Sequence, residues 1–175
     1  MQYGQEVSIG LVAALVLGLT FASFSVVARP VAAHECTQEE PCTTEGRMTG
    51  GGRLNADSIV THGFELHCSV DDVPNNLEVN WAKGNHFHLD ALSDVICVDK
   101  VGISPNPPPA GFDLLEAHGT GTYNGEDGAR IYFVFTDAGE PGRQDTARIK
   151  IVDADSTVVL DVGTTNLMGG NHQAH

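Results

Sequence analysis

Three histidines and one aspartate raise the first chemical question. His86, His88 and Asp90 lie two residues apart in GNHFHLD, and in a β-strand that spacing turns all three side chains to one side. Two imidazoles presented this way can grip a cation through ring nitrogens, with a carboxylate as a harder third ligand. His67, in THGFELHC, shares the polar side of a neighbouring strand with Glu65. His67, His86, His88 and Asp90 therefore form the candidate metal set, and zinc or copper is the cation it would take. The same residues are equally ordinary on a solvated strand face.

Other chemistry is less well supplied. Asp137, Glu140, Asp145, Asp153 and Asp155 offer the hard oxygens calcium prefers, but no EF-hand or nonapeptide spacing accompanies them, and turn formation accounts for Asp153-Ala154-Asp155. There is no GxSxG motif, and the GGG before Arg53 lacks the lysine and helix of a phosphate cradle, so it reads as a bulge or a close backbone approach. His62 falls on an apolar strand face and is expected to be a neutral, hydrogen-bonded core residue. His118 has no evident partner, and His172 and His175 either fray or fold back. Gly-Asn-His occurs at 84–86 and again at 170–172, which suggests matched turns. With no complete catalytic constellation, the chain reads as non-catalytic.

The elements that must position these groups are strands. His62, Phe64, Leu66, Cys68 and Val70 alternate with Glu65, His67 and Ser69, which places the first set inward. After the turn residues Asp71 to Asn76, Leu77, Val79 and Trp81 point inward, and beyond Lys83-Gly84-Asn85 so do Phe87, Leu89 and Ala91. Ile131 to Phe135 is apolar throughout, as in a strand buried on both sides. ARIKIVD and TVVLDVG flank Ala154-Asp155-Ser156 as a hairpin. The proline-rich run Ser104 to Gly111 cannot sustain a ladder and is expected to cross between sheets or mark a boundary. The predicted fold is an all-β antiparallel sandwich, Ig-like or jelly-roll-like, over residues 47–175, behind an N-terminal hydrophobic leader helix.

That leader, within residues 1–33, contains an uncharged apolar run from Ser8 to Val27 and two small-x-small sites, of which the one ending at Ala33 is the expected cleavage point. Its n-region carries Glu6 and no Lys or Arg, so an uncleaved anchor is the alternative, and a membrane becomes a partner only in that case. A polar linker follows at 34–46. All four cysteines lie beyond the cleavage point, where thiols oxidise. Cys36 and Cys42 are expected to close a small loop in the linker, and Cys68 and Cys97, each ending a hydrophobic strand, to bridge the core. No CxxC pair is present to favour zinc over disulfides. The net charge of −14 and the lack of a basic cluster exclude nucleic acid as a partner class.

GRMTGGGRLN, THGFELHC, PNNLEVNW, GNHFHL, PNPPPAGFD, TDAGEPGRQDTARIKI and the closing GNHQAH together resemble a recurrent domain of bacterial secreted and surface proteins, of the type found downstream of choice-of-anchor modules. The resemblance covers about residues 47–175 and implies location and architecture only. The expectation is a secreted or extracytoplasmic module, on the cell surface or in a periplasm, serving envelope structure, adhesion or protein interaction. Its partners would be other surface proteins or extracellular polymers, with no cofactor. The competing expectation is a small zinc or copper protein or metalloenzyme using His67, His86 and His88.

Overall fold

Alternating apolar residues and frequent turn chemistry produce ten strands, seen in a computed structural model that describes residues 36–103 and 110–175. In chain order they are β1 (Cys42–Thr43), β2 (Arg47–Asn55), β3 (Ile59–His67), β4 (Asn76–Trp81), β5 (Asn85–Val98), β6 (Leu114–Tyr123), β7 (Glu126–Thr136), β8 (Thr146–Val152), β9 (Val158–Asn166) and β10 (Gly169–Ala174). One three-residue 3-10 turn, Ala82–Gly84, interrupts them, and Lys83 there takes φ 65°. The hydrophobic leader and the proline run at 104–109 lie outside the described residues.

The all-β antiparallel class is as expected, but the two-sheet sandwich gives way to a single hydrogen-bonded sheet in the order β10-β2-β3-β4-β5-β6-β7-β8-β9, curled into a half-barrel. The physical reason lies at the proline-rich connection. The strands on either side of it, β5 and β6, pair directly from Phe87↔Tyr123 to Val98↔Leu114, so the chain returns along its neighbour instead of crossing to a second layer. Curling brings opposite parts of the sheet together across the core: Phe64 of β3 stacks on Phe135 of β7 with ring centroids 4.5 Å apart.

The inward set follows the sequence pattern through Leu66, Cys68, Leu77, Val79, Phe87 and Leu89, all buried. Two positions depart from it. Val70 is exposed because β3 ends at His67 and the chain has already turned. Ala91 is exposed because register shifts between Leu89 and Ala91 and between Leu92 and Asp94 insert extra residues in β5, which turn Leu92 inward instead.

Both expected disulfides form, Cys36–Cys42 and Cys68–Cys97. The second sits where β4 stops short. The β4–β5 ladder runs from Trp81↔Asn85 to Glu78↔His88, whereas β5 continues to Val98. Cys68, just past β3, reaches over that gap to Cys97 with the Cα atoms 5.5 Å apart. The vacated edge of β5 is taken by β1, where Cys42 faces Val98 and Thr43 faces Cys97.

Candidate functional site

The proposed metal ligands do not meet. Asn80 pairs with both Thr61 and His86, so His86 lies level with Thr61 across β4. His67 is six residues further along β3, about 20 Å at the rise of a strand. Its Nδ1–H donates to the Pro74 carbonyl at 2.9 Å, and its backbone N–H donates to Asn75 Oδ1 at 2.7 Å. His88 Nδ1 bonds instead to Glu78 Oε1 on the neighbouring strand, and His86 and Asp90 stand exposed. Alternation predicted the shared face of His86 and His88 but not the stagger of the strands, which separates His67 from them. Among the described residues, no group of three or more His, Cys, Asp or Glu side chains is gathered as a metal site.

The imidazoles that do converge are His62 and His172. Strand β2 separates β3 from β10, with Gly52 facing His62 on one side and Gly50 facing His172 on the other. No side chain stands between the two rings, and they meet with Nε2 atoms 2.8 Å apart, packed against Phe64 and Phe135. The glycine run is thus a close approach, one of the two readings its sequence allowed. Gly50 adopts φ +152°, and a Cβ there would strike the Asn171 carbonyl oxygen, while a Cβ on Gly52 would meet the Gly169 carbonyl oxygen at 2.9 Å and Leu167 Cδ2 at 3.0 Å. Gly50→Ala is expected to cost about 2–3 kcal/mol, because a positive φ and a hard backbone clash must both be relieved, with Gly52→Ala milder because its φ lies outside the left-handed range and its closest approach, to the Gly169 carbonyl, is longer. Paired urea melts check the ranking; equal midpoints would contradict it.

Hydrogen bonding fixes the tautomers. The Thr136 carbonyl can only accept, so His172 Nδ1 carries the proton that bridges the 3.1 Å between them. His172 Nε2 is then the acceptor for His62 Nε2–H, and His62 Nδ1 is left as a buried acceptor with no partner. Burial drives both imidazoles toward neutrality. His62 falls to about 3, through desolvation and then the charge of His172, and His172 falls to about 4 through desolvation, partly opposed by the Thr136 bond and Asp137.

Two carboxylates complete this cluster. Asp145 Oδ2 accepts the His172 backbone N–H at 2.7 Å and its Oδ1 accepts that of Ala138 at 2.8 Å. Asp137 Oδ2 accepts the Ala174 N–H at 2.9 Å and its Oδ1 that of Gly139 at 2.9 Å. Each carboxylate therefore uses one oxygen to shape the β7–β8 loop and the other to satisfy the outer edge of β10. Of the acidic residues considered for calcium, Asp153 likewise caps its own turn through Thr157 N–H at 2.8 Å, and Glu140 bonds Asn171 at 2.8 Å. His172 and His175 fold back, with Arg47 and His175 exchanging backbone bonds. The two Gly-Asn-His segments are not matched turns, since Gly84 ends the 3-10 turn whereas 170–172 lies within β10.

Nearby, Asp113 is almost fully buried; its Oδ1 accepts the Lys100 N–H at 3.0 Å and its Oδ2 has no partner. Burial, followed by the charges of Asp99 and Asp137, outweighs the Lys100 bond and raises its pKa to about 6. A carboxyl raised on folding weakens the folded state once ionised, so Asp113→Asn should raise Tm at pH 7. The gain should shrink as pH falls from about 6 to 3.8, where the wild-type group takes up its proton. A gain independent of pH would show that charge is not its cause.

A second constellation occupies the outer face of β6, β7 and β8. Cross-strand register sets Glu116 beside Val134 and Arg148, and His118 beside Tyr132 and Lys150. Tyr132 Oη–H donates to Glu116 Oε1 at 3.1 Å, the Arg148 guanidinium carbon lies 5.4 Å from the Tyr132 ring centre, and the His118 ring lies 4.9 Å from it. Burial, with Glu116's charge and hydrogen bond, raises the phenol to about 12. Tyr132 stood in the sequence as one more apolar residue of IYFVF, and Arg148 and Lys150 as the polar half of ARIKI. The signal that would have found them is the two-residue phase shared by both strands.

Comparison with family models, with curated proteins and with solved structures finds no match.

Proposed function

We propose that the protein is a non-catalytic extracytoplasmic β module that works through its surface, in envelope structure, adhesion or protein interaction. The observation that carries this reading is the clamp built from His62, His172, Asp137 and Asp145. These are the buried residue types from which a hydrolase or metalloenzyme would be assembled, and here they are engaged in tying the last strand and the β7–β8 loop into the sheet. Two closed disulfides fit an oxidising compartment. The strongly acidic composition suits a protein that must stay dissolved while presenting a large surface.

The test combines composition with behaviour. Untagged protein from an oxidising expression host should contain zinc and copper well below one atom per chain, keep its melting curve in EDTA, and associate with envelope material without turning over hydrolase or oxidase substrates. Stoichiometric metal that disappears in a His86→Ala, His88→Ala double variant would overturn the reading in favour of a metalloprotein.

A further inference from the structure

We propose that the outer face of β6–β8 around Tyr132 binds a carboxylate-bearing sugar unit of an acidic polysaccharide, an inference that rests on the surface-acting reading and names its ligand. Charge distribution is the first support. Of nine Lys and Arg residues in a chain of net charge −14, Arg130, Arg148 and Lys150 share this one face. Attraction of an anion to this protein is therefore concentrated here, against a repulsive background.

Shape is the second support. A shallow depression of about 230 Å³ is lined by His118, Arg130, Ile131, Tyr132, Lys150 and Val152. Tyr132, Ile131 and Val152 make up the apolar part of that lining, and Arg130, Lys150 and His118 bring a guanidinium, an ammonium and an imidazole to it. An apolar lining suits the C–H face of a sugar ring, and the cations supply charge-assisted donors for one carboxylate and further donors for hydroxyls.

Preorganisation is the third. Tyr132 is held by its hydrogen bond to Glu116 and by the Arg148 guanidinium over its ring, while Arg148 Nε is buried with no hydrogen-bond partner. The rim cations are only lightly tethered, Arg130 to Ser156 Oγ at 3.1 Å and Lys150 to Asp161 at 3.6 Å. The carboxylates around the face, Glu116, Asp161 and Asp94 opposite His118, would repel a multiply charged phosphate more than a singly charged uronate. The depression also lies on β7, paired on both sides by β6 and β8, so no free strand edge is there to capture an extended peptide backbone.

The experiment compares binding of the purified protein to polygalacturonate, to its fully methyl-esterified form and to polyglutamate, in moderate salt. Polygalacturonate should bind, and esterification should weaken it about tenfold or more through loss of charged hydrogen bonds. Arg130→Ala and Lys150→Ala should each weaken it comparably with unchanged melting curves, while Lys83→Ala on the 3-10 turn should not. Failure to bind polygalacturonate, equal affinity for polyglutamate, or indifference to Arg130→Ala and Lys150→Ala would each overturn the assignment. Binding of a different envelope polymer, unaffected by these variants, would remove this site and leave the surface-acting reading standing; catalytic turnover would remove that reading itself.

Discussion

Replacing Cys68 or Cys97 with Ser is expected to destabilise the protein by about 3–4 kcal/mol and to leave much of it unfolded at 37 °C, whereas Cys36→Ser or Cys42→Ser should shift Tm only slightly. The difference has two sources. Cys68 and Cys97 close a loop with a sequence separation of 29, against 6 for the other pair, so the longer bridge removes more freedom from the unfolded chain. Both Cys68 and Cys97 are also buried in the core, at the point where β5 overhangs the end of β4. Without the bridge, that overhang keeps β1 on one edge but loses its tie to β3. Residues 36–42, by contrast, are largely exposed and can open without uncovering apolar surface. Thermal melts of the four variants check this, and equal Tm values for all four would contradict it.

His172→Ala is expected to cost about 3–5 kcal/mol. The change empties a fully buried site packed against Phe64 and Phe135 and leaves His62 Nε2–H without its acceptor. The wild-type pair should also make stability depend on pH. Both folded pKa values lie below the ordinary 6.5, so the unfolded chain takes up protons first as pH falls. The pair's contribution is therefore complete above about 6.5 and is lost progressively as pH falls toward 4. Asp113 and Asp145, whose pKa values burial raises, act in the opposite sense over part of this range, so the slope seen in wild type is a net one. A His62→Phe, His172→Leu double variant isolates the imidazole part: its stability should fall less than that of wild type between pH 6.5 and 4.5. Parallel pH curves would show that the imidazoles do not charge on unfolding.

Legibility followed the range of the interactions. The disulfide pairing and the core phase of β3 could be read because Cys68 keeps step with Phe64 and Leu66, and period-2 alternation is a local property. His62 was recognisable as a neutral core residue for the same reason. Its partner was not, because His172 is 110 residues away and meets it only after β10 pairs with β2. The roles of Asp137 and Asp145 were hidden likewise, since TDAGEPGRQD looks like any polar loop until its carboxylates receive the edge N–H groups of β10. The bulges in β5 were invisible to simple alternation and moved Ala91 to the surface. Whether strands join one curled sheet or two stacked ones depends on which neighbours pair across the proline-rich connection, and alternation is silent on that.

If the buried residues with catalytic potential are struts of the fold, His62 and His172 must stay neutral and fixed in one tautomer each, which nitrogen NMR of the histidine rings reads out. The expected spectrum holds one pair of imidazoles locked as neutral tautomers, with the proton on Nε2 of His62 and on Nδ1 of His172, unchanged from pH 8 down to about 5. Titration of either ring near pH 6.5, or tautomers exchanging freely as in a solvent-exposed site, would contradict it.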